Sequence, residues 1–219
     1  MTPDEWDLRQ AVIDTARAMA AAGLNHGTSG NVSARHGDGF LITPSGVPNE
    51  ALRVGDIVAM SADGTAPAGA RPSSEWRFHR DIYAARPEVG AIVHAHPTYA
   101  TAFAICREDL PAAHYMIAAT GGPTIRCSAY ATFGTQALSD AALAALDGRL
   151  ACLLANHGLI ALGPTLARAL WLAVEVEVLA RQYAVARTLG TPVILGDDEI
   201  AVNVEKFRSY GLRPAQQPE

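Results

Sequence analysis

Three histidines in this sequence have the spacing of metal ligands. Alternate side chains of an extended strand point to the same face, so His94 and His96, at the end of an apolar run, present two imidazoles together. His157 follows a second apolar run, residues 152–154, and precedes a glycine. Three neutral imidazoles with an open fourth position form a catalytic zinc site, whereas a structural zinc is closed by four protein ligands. We therefore predict that these histidines bind a catalytic metal. The alternative is that they are ordinary polar residues at strand ends with no common function.

Glu75 is the acid best placed to carry a proton beside such a metal. It stands at the predicted start of a helix that ends just before the strand carrying His94 and His96. A zinc site that turns over substrate needs a proton carrier beside the metal. The alternative is a surface carboxylate stabilised by the helix dipole. His79 lies four residues on, on the same helical face, and is the alternative metal ligand. We expect His26 and His36 to be solvated in polar loops.

Small hydroxylated residues and glycines at turns and at a helix start predict an anion site. Unpaired backbone amides and the positive end of a helix dipole attract anions such as phosphate, and glycine-rich turns form further anion nests. Each segment alone is equally an ordinary cap or turn, so the prediction depends on the metal site that they accompany. The segments are Gly30-Asn31, Ser45-Gly46 and Ser73-Ser74.

The composition describes a folded enzyme-sized chain and excludes several classes of function. Of its 219 residues, 49 % are hydrophobic and 18 % are charged, which excludes a disordered protein. The net charge of −5 and the absence of a basic run give no reason to expect nucleic acid or a membrane surface as partner. The amino terminus lacks the profile of a secretory signal, and the three cysteines lack ligand spacing, so we expect a cytoplasmic protein.

The scarcity of lysine bears on the reaction mechanism. Lys206 is the only lysine in the chain, and it lies in a charged, late helical stretch. A Schiff base requires an amine whose pKa is lowered in a dry pocket. We therefore expect no imine chemistry.

The elements that position these residues mix helices and strands without strict βαβ alternation. The predicted helices cover residues 3–22, 75–85, 100–105, 135–146 and 165–189, and the last is the longest. The predicted strands follow the loop at 27–33 and cover residues 40–42, 57–60, 92–96, 123–129, 150–154 and 160–163. We expect one α/β domain at residues 1–212, with a largely antiparallel or mixed sheet, and a flexible carboxyl-terminal tail at 213–219.

Taken in order, these motifs resemble the class II, zinc-dependent aldolase/epimerase family, and within it the bacterial L-fuculose-phosphate aldolase branch. The resemblance covers essentially the whole chain. Two positions depart from the family pattern: His26 stands where an amide side chain is usual, and Ser45 keeps the hydroxyl of the usual threonine. The matching segments are residues 23–35 (GLNHGTSGNVSAR), 41–47 (LITPSGV), 72–79 (PSSEWRFH), 93–97 (VHAHP), 114–122 (HYMIAATGG), 130–135 (YATFGT), 156–160 (NHGLI), 169–180 (ALWLAVEVEVLA) and 199–211.

The resemblance implies a fold and a metal centre. The fold is a three-layer α/β/α domain with a central, mainly antiparallel sheet, assembled as a homotetramer with active sites at subunit interfaces. One Zn²⁺ per chain is bound by His94, His96 and His157. Glu75 is a further ligand of the resting metal and becomes the catalytic acid and base once substrate displaces it.

The resemblance also assigns substrate contacts. The substrate phosphate is bound by Asn31, Ser45, Gly46, Ser73 and Ser74. Two tyrosines assist at the aldehyde end of the substrate: Tyr115, supplied by the neighbouring subunit, and Tyr210, close to the carboxyl tail.

The implied reaction is retro-aldol cleavage of L-fuculose 1-phosphate to dihydroxyacetone phosphate and L-lactaldehyde. Zinc stabilises the enediolate as a Lewis acid, in the place of the lysine that this chain lacks. Three alternatives stay open: a pentulose-phosphate 4-epimerase, a methylthioribulose-phosphate dehydratase of the same family, and a metal-binding module without activity. In the epimerase branch aspartate is typical at the position of Glu75, so the glutamate favours an aldolase.

Overall fold

A six-stranded sheet forms the centre of the protein in the computed structural model, which describes residues 2–209. The strands along the chain are β1 (Asn31–His36), β2 (Gly39–Ile42), β3 (Val58–Met60), β4 (Ala91–Ala95), β5 (Leu110–Pro111), β6 (Thr124–Ile125), β7 (Ala151–Leu154) and β8 (Gly158–Gly163). The central sheet has the order β3-β2-β1-β4-β8-β7, and every neighbouring pair is antiparallel. β5 and β6 pair separately. β4, the strand that carries His94, therefore lies in the middle of the sheet, between β1 and β8.

Six helices surround the sheet among the described residues. They are α1 (Pro3–Ala21), α2 (Trp76–Ala85), α3 (Thr98–Cys106), α4 (Gln136–Ala145), α5 (Leu166–Leu189) and α6 (Asp197–Ser209). Three begin at a threonine whose hydroxyl accepts a backbone N–H of the first turn, namely Thr2, Thr135 and Thr165. Such caps satisfy amides that have no partner within the helix. α5 is the longest helix, as its spacing of apolar residues predicts.

The helices bury the two faces of the sheet in separate cores. α1, α3 and α5 pack on one face, and α2 and α4 pack on the other. Along β4, Val93 points into the first core and Ile92 into the second, as the twofold period of a strand requires. His94 shares the face of Ile92 and lies edge-on to the ring of Phe78 in α2, with 5.4 Å between the ring centroids. These layers confirm the predicted three-layer α/β/α fold.

Two predicted elements differ from the structure by more than the one or two residues seen at the ends of the others. β1 begins at Asn31, inside the predicted loop, and continues to His36, which pairs with Gly39 of β2. The prediction that His36 is a solvated loop residue is therefore wrong, because it is a half-buried strand residue. The strand predicted at 123–129 is reduced to β6 and an isolated parallel bridge between Cys127 and Leu153 of β7. The Cys127 N–H donates to Asp109 Oδ1 at 2.7 Å.

Parts of the carboxyl terminus lie outside the described residues. These include the predicted tail at 213–219 and the predicted catalytic residue Tyr210. The domain boundary at residue 212 therefore stays a prediction. None of the described helices has both the length and the apolar character needed to cross a membrane.

Candidate metal centre

Glu75 and the three predicted histidines come together at one end of the central strands. Their ligand atoms all lie within 4.8 Å of one another. Glu75 Oε2 is 3.1 Å from His94 Nε2, and Glu75 Oε1 is 3.2 Å from His157 Nε2. His96 Nε2 lies 2.9 Å from His94 Nε2. Residues from β4, from the start of α2 and from the β7–β8 turn thus form a single cluster of three nitrogens and a carboxylate.

Hydrogen bonds from β8 and from the loop before β1 orient the two histidines at the end of β4. His94 Nδ1 donates to the carbonyl of Leu159 in β8 at 2.8 Å, which leaves Nε2 facing the cluster. Metal-binding histidines are usually held in this way through the other ring nitrogen. The backbone N–H of His96 donates to Asn25 Oδ1 at 2.9 Å and fixes the chain as it leaves the strand.

His157 is placed by the tight turn between β7 and β8. Asn156 adopts the left-handed conformation with φ 56°, which asparagine tolerates better than most residues. Its Oδ1 accepts a hydrogen bond from Arg107 Nε at 2.9 Å. Gly158 follows, and a Cβ there would lie 2.3 Å from the Ala95 carbonyl oxygen and 2.7 Å from the ring of His96. Only glycine lets β8 approach β4 closely enough to bring the three imidazoles together.

The electrostatics of the cluster favour the ligand forms of these groups. Burial alone would raise the pKa of Glu75, but the charge of His94 and the hydrogen bond to it outweigh burial and lower the pKa to about 2. Burial and the neighbouring His94 lower the pKa of His96 to about 3 and that of His157 to about 4. At neutral pH the cluster thus holds a carboxylate and two neutral imidazoles. Burial opposes the charge on His94, but Glu75 raises its pKa.

The residues fit a divalent metal ion. Glu75 Oε1 is buried and makes no hydrogen bond, which is costly for a carboxylate oxygen unless a cation satisfies it. A set of three imidazoles and one carboxylate provides ligands of the kind that zinc takes in catalytic sites. His79, the alternative ligand, is not part of this set: it is fully buried and hydrogen-bonded elsewhere.

A cleft of about 370 Å³ opens beside the cluster. Three of the five residues predicted to bind phosphate, Ser45, Gly46 and Ser74, line its wall. The loop before β1 forms another part of the wall with Thr28, Ser29 and Gly30. The cleft therefore combines hydroxyl groups and glycine-containing turns with the cluster.

The other two predicted phosphate residues are buried next to Glu75. Asn31 is 5 % exposed and Ser73 is 6 % exposed, and neither lines the cleft. Asn31 Nδ2 donates to Ser73 Oγ and to Glu75 Oε2, both at 3.0 Å. Asn31 also lies opposite His94 in the β1–β4 register. Asn31 thus contacts the Glu75 carboxylate directly.

Sequence analysis did not assign a role to several residues of the cleft. Tyr130 and Phe133 stand at its mouth and are 56 % and 65 % exposed. Asn156 and Ala131 also line it. The sequence did indicate the segment at 130–135, because it matches the family pattern, but no residue within it was assigned a function.

Of the two predicted tyrosines, Tyr115 lies among the described residues, and it is not brought to the cluster. Tyr115 begins the 3-10 turn Tyr115–Thr120, is 48 % exposed and does not line the cleft. This placement neither supports nor opposes action on a neighbouring subunit, so the role of Tyr115 stays a prediction. His26 is exposed in its loop, as predicted.

Comparison with known proteins identifies relatives along nearly the whole chain. Residues 10–184 match the family of the class II aldolase and adducin N-terminal domain. The chain is 53 % identical over 204 residues to the 5-methylthioribulose-1-phosphate/5-deoxyribulose-1-phosphate aldolase of Rhodospirillum rubrum, which covers 93 % of this chain and 92 % of that protein. It is 51 % identical over 207 residues to the L-fuculose phosphate aldolase of Escherichia coli, with 94 % and 96 % covered.

A solved structure gives the same relation at the level of the fold. An L-fuculose 1-phosphate aldolase superposes on this chain with a TM-score of 0.89 and 42 % sequence identity. The match covers 92 % of this chain and 96 % of that one. The two chains therefore share one fold over nearly their whole length.

Proposed function

This chain belongs to the class II aldolase family, and we propose that it cleaves a ketose 1-phosphate at a zinc centre, releasing dihydroxyacetone phosphate and an aldehyde. The observation that carries this proposal is the convergence of Glu75 with three histidines beside a hydroxyl-lined cleft. That arrangement offers a proton carrier, a metal site and an anion site within one cavity.

Four residues would hold the metal in the resting enzyme: His94, His96, His157 and Glu75. When bound, zinc supplies Lewis acidity for the carbonyl and adjacent hydroxyl oxygens of the substrate. The histidines alone suffice to retain the ion, because catalytic zinc sites commonly have three protein ligands. Glu75 is then free to exchange protons when substrate is present.

We assign phosphate binding to the same five residues that the sequence predicts. Ser45, Gly46 and Ser74 line the cleft and offer hydroxyl and backbone donors. Ser73 precedes Ser74 in the chain, and the buried Asn31 links Ser73 to Glu75 through hydrogen bonds. Binding of the phosphate group would therefore orient the reacting carbons over the carboxylate.

Glu75 carries the proton that the cleavage requires. When the bond between C3 and C4 of the ketose breaks, the C4 hydroxyl loses its proton and becomes the aldehyde carbonyl. The electron pair remains on C3. Glu75, which takes up a proton from solvent once substrate displaces it from the metal, passes that proton to C3 to give dihydroxyacetone phosphate. By the resemblance, we assign removal of the C4 hydroxyl proton to a tyrosine, Tyr115 from a neighbouring copy or Tyr210, which relays it to solvent, so that one proton is taken up and one is released in each cleavage.

The aldehyde end of the substrate would face apolar surface. Tyr130 and Phe133 expose their rings at the mouth of the cleft. L-fuculose, 5-methylthioribulose and 5-deoxyribulose, the sugars in the names of the relatives, all end in a carbon without a hydroxyl group. We therefore propose a deoxyketose 1-phosphate as substrate, with L-fuculose 1-phosphate and the 5-substituted ribulose 1-phosphates as the two candidates.

A panel of substrates tests this proposal. Purified zinc-loaded protein would be incubated with each candidate ketose 1-phosphate and with L-ribulose 5-phosphate, and dihydroxyacetone phosphate would be measured with a coupled enzyme. We expect release of dihydroxyacetone phosphate from at least one deoxyketose 1-phosphate. The corresponding unphosphorylated sugar should be cleaved little, as measured by release of the aldehyde. Interconversion of the pentulose phosphates without any release of dihydroxyacetone phosphate would instead identify an epimerase.

We also propose that the enzyme is a cytoplasmic homotetramer with interface active sites. Exposed apolar side chains on α5, namely Val178, Val185 and Leu189, support self-association. Light scattering should give about four times the chain mass. A monomer that is fully active would contradict the interface role of Tyr115.

A further inference from the structure

Four polar side chains form a continuous line of hydrogen bonds in the core beneath the metal centre. Tyr83 Oη lies 2.8 Å from Ser33 Oγ, and Ser33 Oγ lies 2.7 Å from His79 Nδ1. His79 Nε2 lies 2.5 Å from Asn31 Oδ1. Ser33 and His79 are fully buried, and Tyr83 and Asn31 are 5 % exposed. We call these four residues the core relay.

The donors and acceptors of the core relay have one consistent direction. The Asn31 amide oxygen can only accept, so His79 Nε2 carries the hydrogen. Burial lowers the pKa of His79 to about 3, so its ring is neutral and Nδ1 accepts. The Ser33 hydroxyl must then donate to Nδ1, and the Tyr83 hydroxyl donates to Ser33. Each hydrogen in the core relay therefore has one acceptor: the Tyr83 hydroxyl donates to Ser33, the Ser33 hydroxyl donates to His79, and His79 Nε2–H donates to Asn31.

This direction determines which side of the Asn31 amide meets the catalytic acid. With Oδ1 held by His79, Nδ2 points to Ser73 Oγ and Glu75 Oε2. A reversed amide would place its oxygen 3.0 Å from the carboxylate and its N–H groups against the His79 N–H. Both contacts would be repulsive in a buried site, where unpaired polar groups are costly.

We propose that Tyr83, Ser33 and His79 are positioning residues that hold the Asn31 amide as a hydrogen-bond donor to Glu75. In this way they fix the carboxylate that serves as metal ligand and proton carrier. The inference rests on the function proposed for Glu75, but Tyr83, Ser33 and His79 lie in the core and belong to neither the metal cluster nor the proposed phosphate site. Partners of this kind commonly change metal affinity or activity by about 10- to 100-fold when removed.

A pair of buried serines provides a matched test. Ser33→Ala removes the middle of the core relay, whereas Ser139→Ala removes an equally buried hydroxyl that donates to Asp81 Oδ2 at 2.6 Å in another part of the same core. Two quantities would be measured on the full-length protein: the Zn²⁺ dissociation constant by chelator competition, and the rate of exchange between solvent deuterium and dihydroxyacetone phosphate. Thermal unfolding would show the stability cost of each variant.

We expect Ser33→Ala to weaken Zn²⁺ binding or slow exchange by about 10-fold or more, and Ser139→Ala to change both by less than about 2-fold at a similar loss of stability. His79→Gln keeps a donor for Asn31 and should retain more of both quantities than His79→Leu. Equal values for Ser33→Ala and Ser139→Ala, or for the two His79 variants, would overturn the proposal.

The test remains decisive if a variant fails to fold or if the proposed function is wrong. Tyr83→Phe removes only the outer hydroxyl and keeps the ring packed on Phe40. If Ser33→Ala is unfolded, a loss in Tyr83→Phe beyond that of Ser139→Ala supports the core relay, and equality overturns it. If the wild-type protein shows no exchange, the proposed function fails, and Zn²⁺ affinity alone decides on the relay.

Discussion

The pKa of Glu75 is raised by burial and lowered by the three neighbouring histidines. The histidines prevail, and the pKa of the carboxyl group is lowered to about 2. In Glu75→Gln the three imidazoles remain, so we expect the variant to fold and to bind zinc. Turnover of the ketose phosphate should fall by about two to four orders of magnitude, the usual share of a general acid or base. Loss of the metal, measured by elemental analysis, would instead make Glu75 mainly a ligand.

The histidines of the cluster are expected to set the metal content. His94→Ala should lose most of its zinc, because it removes a central ligand whose ring is already oriented by Leu159. His26→Ala, in an exposed loop, is the control and should keep about one zinc per chain. Full zinc content in His94→Ala, measured by elemental analysis, would show that the assignment is wrong.

At the scale of single residues, the sequence predicts which four residues form the cluster better than it predicts the side chains that hold them in place. His94 and His96 are indicated by strand periodicity, and Glu75 by its place at a helix start. The contact of His79 with Asn31 joins residues 48 positions apart, so no local pattern can indicate it. It depends on the distance between α2 and β1 across the second core.

At the scale of secondary-structure elements, the cluster depends most on the close approach of β8 to β4. Gly158→Ala would place a methyl group 2.3 Å from the Ala95 carbonyl oxygen, so the strands must separate. We expect a loss of about 1–3 kcal/mol in the free energy of unfolding, measured with denaturant, together with weaker zinc binding. Gly55→Ala, where a Cβ meets nothing within 4 Å, should change neither quantity appreciably. Equal behaviour of the two variants would contradict this account of the turn.

Element types could be predicted from periodicity, whereas several bounds could not. The longest helix and the central strands follow from their apolar spacing, and the resemblance supplied the antiparallel order of the sheet. The segment expected as one strand at 123–129 pairs with β5 at Thr124–Ile125 and bridges Leu153 of β7 at Cys127, whose N–H donates to Asp109, eighteen residues earlier. Partners distant in sequence thus determine how this segment pairs, and the local pattern does not reveal them.

For the whole molecule, the buried neutral His79 predicts sensitivity to acid. Its pKa is lowered to about 3, whereas it is about 6.5 in the unfolded chain. Between these values the unfolded chain binds the extra proton, so stability is present above pH 6.5 and is lost as the pH falls. His79 should contribute about 2 kcal/mol to the loss between pH 6.5 and 5.

Urea unfolding of metal-free protein would measure this contribution. His79→Gln should show a shallower loss of unfolding free energy over the same pH interval, because glutamine does not titrate. Metal-free protein is required, since zinc ligands also release protons on binding. Parallel pH profiles for the wild-type protein and His79→Gln would contradict the role of this histidine.

The most direct test of the whole account is exchange of deuterium from solvent into dihydroxyacetone phosphate, followed by NMR without any aldehyde. The measurement does not depend on which sugar is the substrate, because every candidate releases the same phosphate ester. We expect zinc-loaded protein to exchange one hydrogen on the carbon that bears the free hydroxyl group. Removal of the metal or Glu75→Gln should abolish that exchange. Absence of exchange in the zinc-loaded protein, or undiminished exchange in Glu75→Gln, would contradict the central claim that Glu75 moves the proton at this metal centre.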